Sequence, residues 1–351
     1  MQVDYIIVGQ GLCGSFLSWN LMKAGKKVLV IDESKPNSSS KVASGVINPI
    51  TGRRLVRTWD IETLLPYSLQ AYTEFGNHIN QQLVQACSIL DFLPTPQMEL
   101  AFKQRLNEEP DYLHVPNNEN DWKNYFNYPF SIGEINPCLL VDLNSLITVW
   151  RKKLLEQNAL LATRFEWKDC VVSNDSISFQ GIVAEKIIYC DGADGINNPY
   201  FKLLPYAANK GEAIIASIEN LPRNHIYKQG IVLVPWKEDL WWIGSTYEWN
   251  YSDLNPTEKF KQKVVAELNQ WLQLPYEIVD HIASERPANM ERKPFVGLHP
   301  IKKNIGIFNG MGTKGCSLAP YYATELTNHL LYQTPINPLA DVQRFKNVLS
   351  R

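Results

Sequence analysis

Residues 3–33 read VDYIIVGQGLCGSFLSWNLMKAGKKVLVIDE. An apolar strand, Tyr5–Val8, runs into Gly9, Gly11 and Gly14. A helical run follows as far as Gly25, and a second apolar strand, Lys27–Ile31, ends on Asp32 and Glu33. Strand, glycine loop, helix, strand and acid in this order make a dinucleotide-binding unit. Gly9 allows the tight turn, Gly11 lets a pyrophosphate approach the backbone, and Gly14 lets the helix pack close to the strand. The helix N-terminus offers free N–H groups and partial positive charge to that pyrophosphate. Asp32 stands where a carboxylate accepts hydrogen bonds from ribose hydroxyls.

Outward from this unit, composition bounds the rest. The chain has 351 residues, 45% hydrophobic and 20% charged, enough for two domains or one large composite. A net charge of −2 gives no global electrostatic case for nucleic acid. Asp4 sits where a signal peptide would carry positive charge, and the first apolar run is short. Neither a signal peptide nor a membrane span is expected. The six cysteines form no CxxC pair, which fits reduced thiols in the cytoplasm. The six histidines show no HxH or HxxxH spacing, so no metal site is expected.

Helical periodicity appears over 61–90 and 141–157, with Asp142 as a cap and Leu143, Leu146, Ile147 and Leu154 on the apolar side. Residues 91–138 read as irregular strands and loops. Strand signals return at Cys170–Ser173, Ser176–Phe179 and Lys186–Cys190. GEAIIASIE, GIVLVP and LWWIGSTYEW, within 211–249, read as successive strands. Alternation along the last puts Trp241, Tyr247 and Trp249 on one face and Trp242 on the other. An amphipathic helix is expected over 256–272, then a strand at Asn304–Phe308, the cluster NGMGTKG and a final helix, Cys316–Leu331. A nucleotide-binding opening and ending around an antiparallel middle imply interleaved domains. The expected fold is α/β with α+β: a Rossmann-like domain (1–75, 139–205, 284–351) and a mixed, mostly antiparallel substrate domain (76–138, 206–283). A nicotinamide dehydrogenase usually completes its sheet in one block; a break after two strands favours a flavin.

The chain resembles the FAD-dependent oxidoreductases of the D-amino-acid oxidase superfamily, which includes glycine and sarcosine oxidases. The segments that carry this are VGQGLCG with Asp32, ASGVINP (43–49), VDLNSLI (141–147), AEKIIYCDGADG (184–195), GEAIIA (211–216) and VLVPW…WWIGSTYE (232–248). ERPANMERKPFVGLHP from Glu285 and GIFNGMGTKGCSLAPYYATEL from Gly306 are the most specific. Together they cover roughly two-thirds of the chain.

The resemblance implies FAD as cofactor and an amine or amino acid as substrate. It implies FAD contacts from Gly9, Gly11, Gly14, Asp32 and Glu33, from Ala43, Ser44 and Gly45 beside the ring, and from Val171 and Gly192. Gly310, Gly312, Thr313, Lys314 and Gly315 would lie at the pyrimidine edge, where the last helix and Lys314 favour the anionic reduced ring. Arg286 would pair with a substrate carboxylate through a bidentate bridge; the alternative is a salt bridge within the sheet. For Lys314 the alternative is a solvated loop lysine. Arg53, Arg54 and Arg57 either recognise a second anion or sit in solvent. Several relatives carry a substrate-facing tyrosine just before LVP, where this chain has Val232. That departure leaves open a substrate other than a simple amino acid, and a non-catalytic FAD-binding homologue. The ASG loop and nearby arginines permit an oxidase for a modified tRNA wobble uridine, and a nicotinamide enzyme with no flavin is a fourth reading.

Overall fold

The computed structural model describes residues 1–52, 54–173 and 176–350. Two large sheets carry the chain. In the first, Gln2–Val8 lies between Val28–Ile31 and Ile182–Tyr189, parallel to both. Ile305–Asn309 joins parallel beside Ile182–Tyr189, so a strand from the end of the chain completes a sheet begun at its start. Val28–Ile31, Ile305–Asn309 and the C-terminal halves of Gln2–Val8 and Ile182–Tyr189 are buried and mostly apolar, as strands covered on both faces are. The second sheet is mixed and mostly antiparallel; its one parallel pairing joins Val84–Phe92 to His225–Gln229.

Four helices, Leu12–Lys23, Ile61–Ile79, Leu143–Glu156 and Gly315–Tyr332, pack in the largest core cluster, which reaches both sheets. Trp19 stacks on Phe75, with Phe16 and Trp150 edge-on to the same ring. Asp142 caps its helix as expected: its Oδ1 accepts from Ser145 N–H at 2.9 Å. The four apolar positions foreseen for that helix are all buried.

Three local expectations need correction. The helix expected over 61–90 stops at Ile79, because Asn80 takes a left-handed conformation (φ 57°) and ends it. Val84–Phe92 is instead a strand, held by pairing with Ile132–Val141. The region expected to be irregular holds a helix, Pro96–Glu108, started by Thr95 and a proline in its first turn. Finally, the strand through Trp241 ends at Gly244. Trp241 and Trp242 do face opposite ways, but Tyr247 and Trp249 lie beyond the strand and are exposed. No helix among the described residues is long and apolar enough to cross a membrane.

Candidate active site

The first strand delivers the chain to a glycine turn with no room for side chains. Gly9 has φ 98°, and a Cβ there would lie 2.4 Å from the Cys190 carbonyl oxygen. At Gly14 a Cβ would lie 1.9 Å from the Gly9 carbonyl oxygen, so the helix rests directly on the turn. Gly11 is the N-cap of Leu12–Lys23 and supplies no side-chain cap. The first helical N–H, on Leu12, donates to Ser40 Oγ at 3.0 Å. Gly9, Gly11 and this helix start line a cleft of about 470 Å³ that runs between the two sheets.

The acid at the end of the second strand is fixed from several sides. Asp32 Oδ2 accepts from Gln10 N–H at 2.9 Å and Oδ1 from Ser34 N–H at 2.7 Å. Arg151, from the Asp142-capped helix, donates to Asp32 Oδ1 at 2.6 Å and to its carbonyl at 2.9 Å. This orientation keeps the carboxylate at the cleft wall with Glu33 beside it. Lys41 Nζ ties down the next turn through Ser34 Oγ and the Ser34 and Lys35 carbonyls.

The opposite wall comes from two other strand ends. Asp191 follows Ile182–Tyr189 and accepts from Asn198 Nδ2 at 3.0 Å and Asn309 Nδ2 at 2.8 Å. Burial pushes its carboxyl up to about 6. Gly192, Gly312, Thr313 and Gly315 line the cleft with it, and Gly315 starts the final helix. Ala43 and Ser44 enter from a segment that Trp242 pins, its Nε1 donating to the Val42 carbonyl at 2.9 Å.

Arg286 ends the strand Tyr276–Arg286 and lies across Gly211, where a Cβ would fall 2.0 Å from its Nη2. Nη1 donates to Asn209 Oδ1 at 2.8 Å and to the Thr246 carbonyl at 2.9 Å; Nη2 donates to Ser245 Oγ at 3.0 Å. A guanidinium has five N–H donors. Nε–H and one Nη2–H are therefore left without a partner among the described residues, and those nitrogens share one edge. Among the described residues Arg286 makes no ion pair, although burial pushes its pKa down. It lines the cleft as a desolvated cation held by neutral acceptors.

Lys314 precedes the final helix but turns from the cleft lining toward Thr58, donating to its Oγ1 at 3.0 Å. Burial lowers its pKa to about 8 from an ordinary 10.5. The unfolded chain therefore holds this proton up to about pH 10.5, and the folded chain releases it near pH 8. Below pH 8 the folded state carries a poorly solvated charge, and stability gains as pH rises through that window. Lys314→Met is expected to stabilise the ligand-free protein at pH 7 by about 1–3 kcal/mol, an advantage that fades towards pH 10.5. Thermal unfolding at the two pH values checks this; equal gain at both would refute it.

Several expected residues lie elsewhere. Val171 is 66% exposed on the short strand Cys170–Val172 and does not line the cleft; Phe165 and Trp167 do. The strand signal there was real, but the preceding turn reaches the cleft. Gly45 and Gly310 serve backbone packing: a Cβ would lie 2.0 Å from the Val141 carbonyl at Gly45 and 2.9 Å from Phe295 at Gly310. Arg57 is paired with Glu62 and Glu109 and so is neither an anion site nor a solvated charge. Arg54 is exposed, and Arg53 lies outside the described residues. Ser40, Arg151 and Asp191 were missed, and Tyr247 was read only as part of a strand face. Asp191 sits inside the quoted CDGADG and was legible; the others depend on contacts far along the chain. No group of three or more His, Cys, Asp or Glu that could hold a metal occurs among the described residues.

No protein-family model matches the chain. A stretch of 56 residues is 36% identical to an uncharacterized oxidoreductase, YurR, of Bacillus subtilis (strain 168), and spans 16% of this chain and 15% of that protein. Whole-chain likeness appears among solved structures. Glycine oxidase from Bacillus cereus ATCC 14579 superposes with TM-score 0.82 at 14% identity, over 99% of each chain. Glycine oxidase from Geobacillus kaustophilus gives 0.79 at 15%, over 97% of this chain and 98% of that one. Iminodiacetate oxidase from Chelativorans sp. BNC1 gives 0.76 at 16%, over 96% and 98%. The chain therefore has the fold of these oxidases.

Proposed function

We propose that this chain is an FAD-dependent oxidoreductase that oxidises a carbon next to an amine nitrogen in a carboxylate-bearing amine or amino acid. The observation that carries the reading is Arg286: a half-buried guanidinium whose Nε–H and one Nη2–H have no partner among the described residues, in the wall of the cleft that also holds the glycine cradle. A half-buried cation with no counter-charge among the described residues is costly, and a carboxylate ligand offsets that cost with hydrogen bonds.

The cradle fits the cofactor. A Cβ at Gly9 or Gly14 would strike backbone, and Gly11 presents to the cleft a helix start that it does not cap itself. Gly9, Gly11 and Gly14 would shape the pyrophosphate site, with Asp32 and Glu33 at the ribose. Ala43, Ser44, Gly192, Gly312, Thr313 and Gly315 would flank the rest, consistent with a discontinuous cofactor domain of 1–75, 139–205 and 284–351. When bound, FAD supplies a two-electron acceptor for hydride from the carbon next to nitrogen. The chain's part is to hold the substrate carboxylate on Arg286 and to place positive potential at the start of the final helix, with Lys314 behind it. Released imine would be hydrolysed by water. All six cysteines are unpaired, in keeping with a cytoplasmic enzyme.

The test is the visible spectrum of the purified protein, then anaerobic titration with paired substrates such as sarcosine and dimethylamine. The expected result is a yellow protein that releases FAD in acid and bleaches with the carboxylated member of a pair. A colourless protein that cannot be reconstituted with FAD would overturn the reading.

A further inference from the structure

The segment 245–257 has no regular secondary structure over most of its length, yet it is fastened along that length. Lys210 and Glu212, on the strand Asn209–Ile218, are 2% and 1% exposed. Lys210 exchanges both backbone hydrogen bonds with Glu248, at 2.9 and 3.0 Å, and its Nζ donates to the Asn255 carbonyl at 2.5 Å. Glu212 accepts from Thr257 N–H at 2.6 Å and Thr257 Oγ1 at 2.9 Å, and its own N–H donates to Thr246 Oγ1 at 2.9 Å. His281 Nε2 lies 3.0 Å from the same carboxylate. The buried charges are partnered, so burial can be sustained, and what they secure is this segment.

The fastening has a consequence at the cleft. Tyr247, between the anchored residues Thr246 and Glu248, is 58% exposed and has its ring 4.5 Å from the Arg286 guanidinium carbon. Leu254, just before Asn255, is 40% exposed; both side chains line the cleft with Arg286. An aromatic ring on one face of the guanidinium leaves its edge available and limits the cation's freedom. An exposed aromatic ring, held from both flanking residues beside a half-buried cation, forms an apolar wall next to an anion site.

We propose that Tyr247 is the specificity-determining wall of the substrate site, selecting carboxylated amines that carry an apolar or aromatic side group. The inference rests on the carboxylate reading of Arg286 given above. With a carboxylate on the unpartnered Nε–H and Nη2–H of Arg286, such a side group removes the Tyr247 face from water. A glycine-sized substrate leaves it wet.

The test compares two unreactive carboxylates, acetate and phenylacetate, by calorimetry on the flavin-loaded protein. Phenylacetate is expected to bind about tenfold or more tightly than acetate. Tyr247→Ala, at an exposed position, should bring the two to within about threefold, while Tyr247→Phe keeps the preference. Equal binding by the unaltered protein, with both ligands lost in Arg286→Ala, would overturn the wall but leave the anion site standing. A preference that survives Tyr247→Ala would overturn the assignment to Tyr247. Binding of neither acid, or binding unaffected by Arg286→Ala, would overturn both readings.

Discussion

Arg286→Ala should cost at least about 3 kcal/mol in transition-state stabilisation for a carboxylated amine, a loss of a hundredfold or more in kcat/KM. The truncation removes the partner of a desolvated carboxylate and leaves that charge uncompensated. The protein itself should still fold. The acceptors Arg286 holds are Asn209 Oδ1, the Thr246 carbonyl and Ser245 Oγ, and the residue borders an open cleft through which water can replace it. Arg286→Lys should recover only a small part of the loss. One ammonium cannot hold those three acceptors and also present a planar edge to a carboxylate. Steady-state kinetics with a carboxylated amine and its decarboxylated analogue gives the answer. Arg286 acts on the carboxylate only if the two substrates respond differently; an equal fall for both would assign it a structural role instead.

Gly11→Asp should weaken FAD binding by at least about a hundredfold with little loss of stability. Gly11 has an extended conformation, φ −75° and ψ −163°, that any residue adopts, and it already occupies the N-cap of the first helix. Aspartate is among the best N-cap residues. Its Cβ would lie 3.0 Å from Ser40 Oγ and 3.8 Å from Ser40 Cβ, a short side chain that gives way at the cost of the hydrogen bond it accepts from Leu12 N–H. The carboxylate would then occupy the helix start that a pyrophosphate needs and repel it across a few ångströms. The measurement is FAD titration of the apoprotein beside a thermal melt. Unchanged FAD affinity in a folded variant would place the cofactor elsewhere; a collapsed melting temperature would show that Gly11 serves packing. Gly14 is unsuited to this test, because a Cβ there strikes the Gly9 carbonyl and disturbs fold and site together.

Glycines were the most legible part of this chain, since their requirement is local. The positive φ of the turn at Gly9 and the helix contact at Gly14 are local, and the geometry foreseen for both is present, although at Gly9 the distant Cys190 carbonyl closes the space as well. The helix starts at Asp142 and Thr257 were legible or nearly so for the same reason: the capping oxygen and the N–H it accepts are three residues apart. Errors arose where local and distant forces compete. Apolar residues at 84–92 satisfy a helical period as well as a strand, and pairing with Ile132–Val141 decided the matter. The register of Tyr247 failed because alternation assumes a continuing strand, and Gly244 ends it.

By itself the sequence determined the two halves of the dinucleotide unit, the mixed second sheet and the candidate residues Arg286 and Asp32. Each depends on residue type, spacing or chain order, which a linear reading preserves. Only the tertiary structure decided what those residues do to one another. It set Arg151 on Asp32, directed Lys314 to Thr58 and left Arg286 without a carboxylate partner among the described residues. It also used Lys210 and Glu212 to bring Tyr247 beside Arg286. The physical reason is range. Backbone turns and caps are settled within a few residues, whereas burial, ion pairing and the desolvation of a charge depend on which distant segments converge.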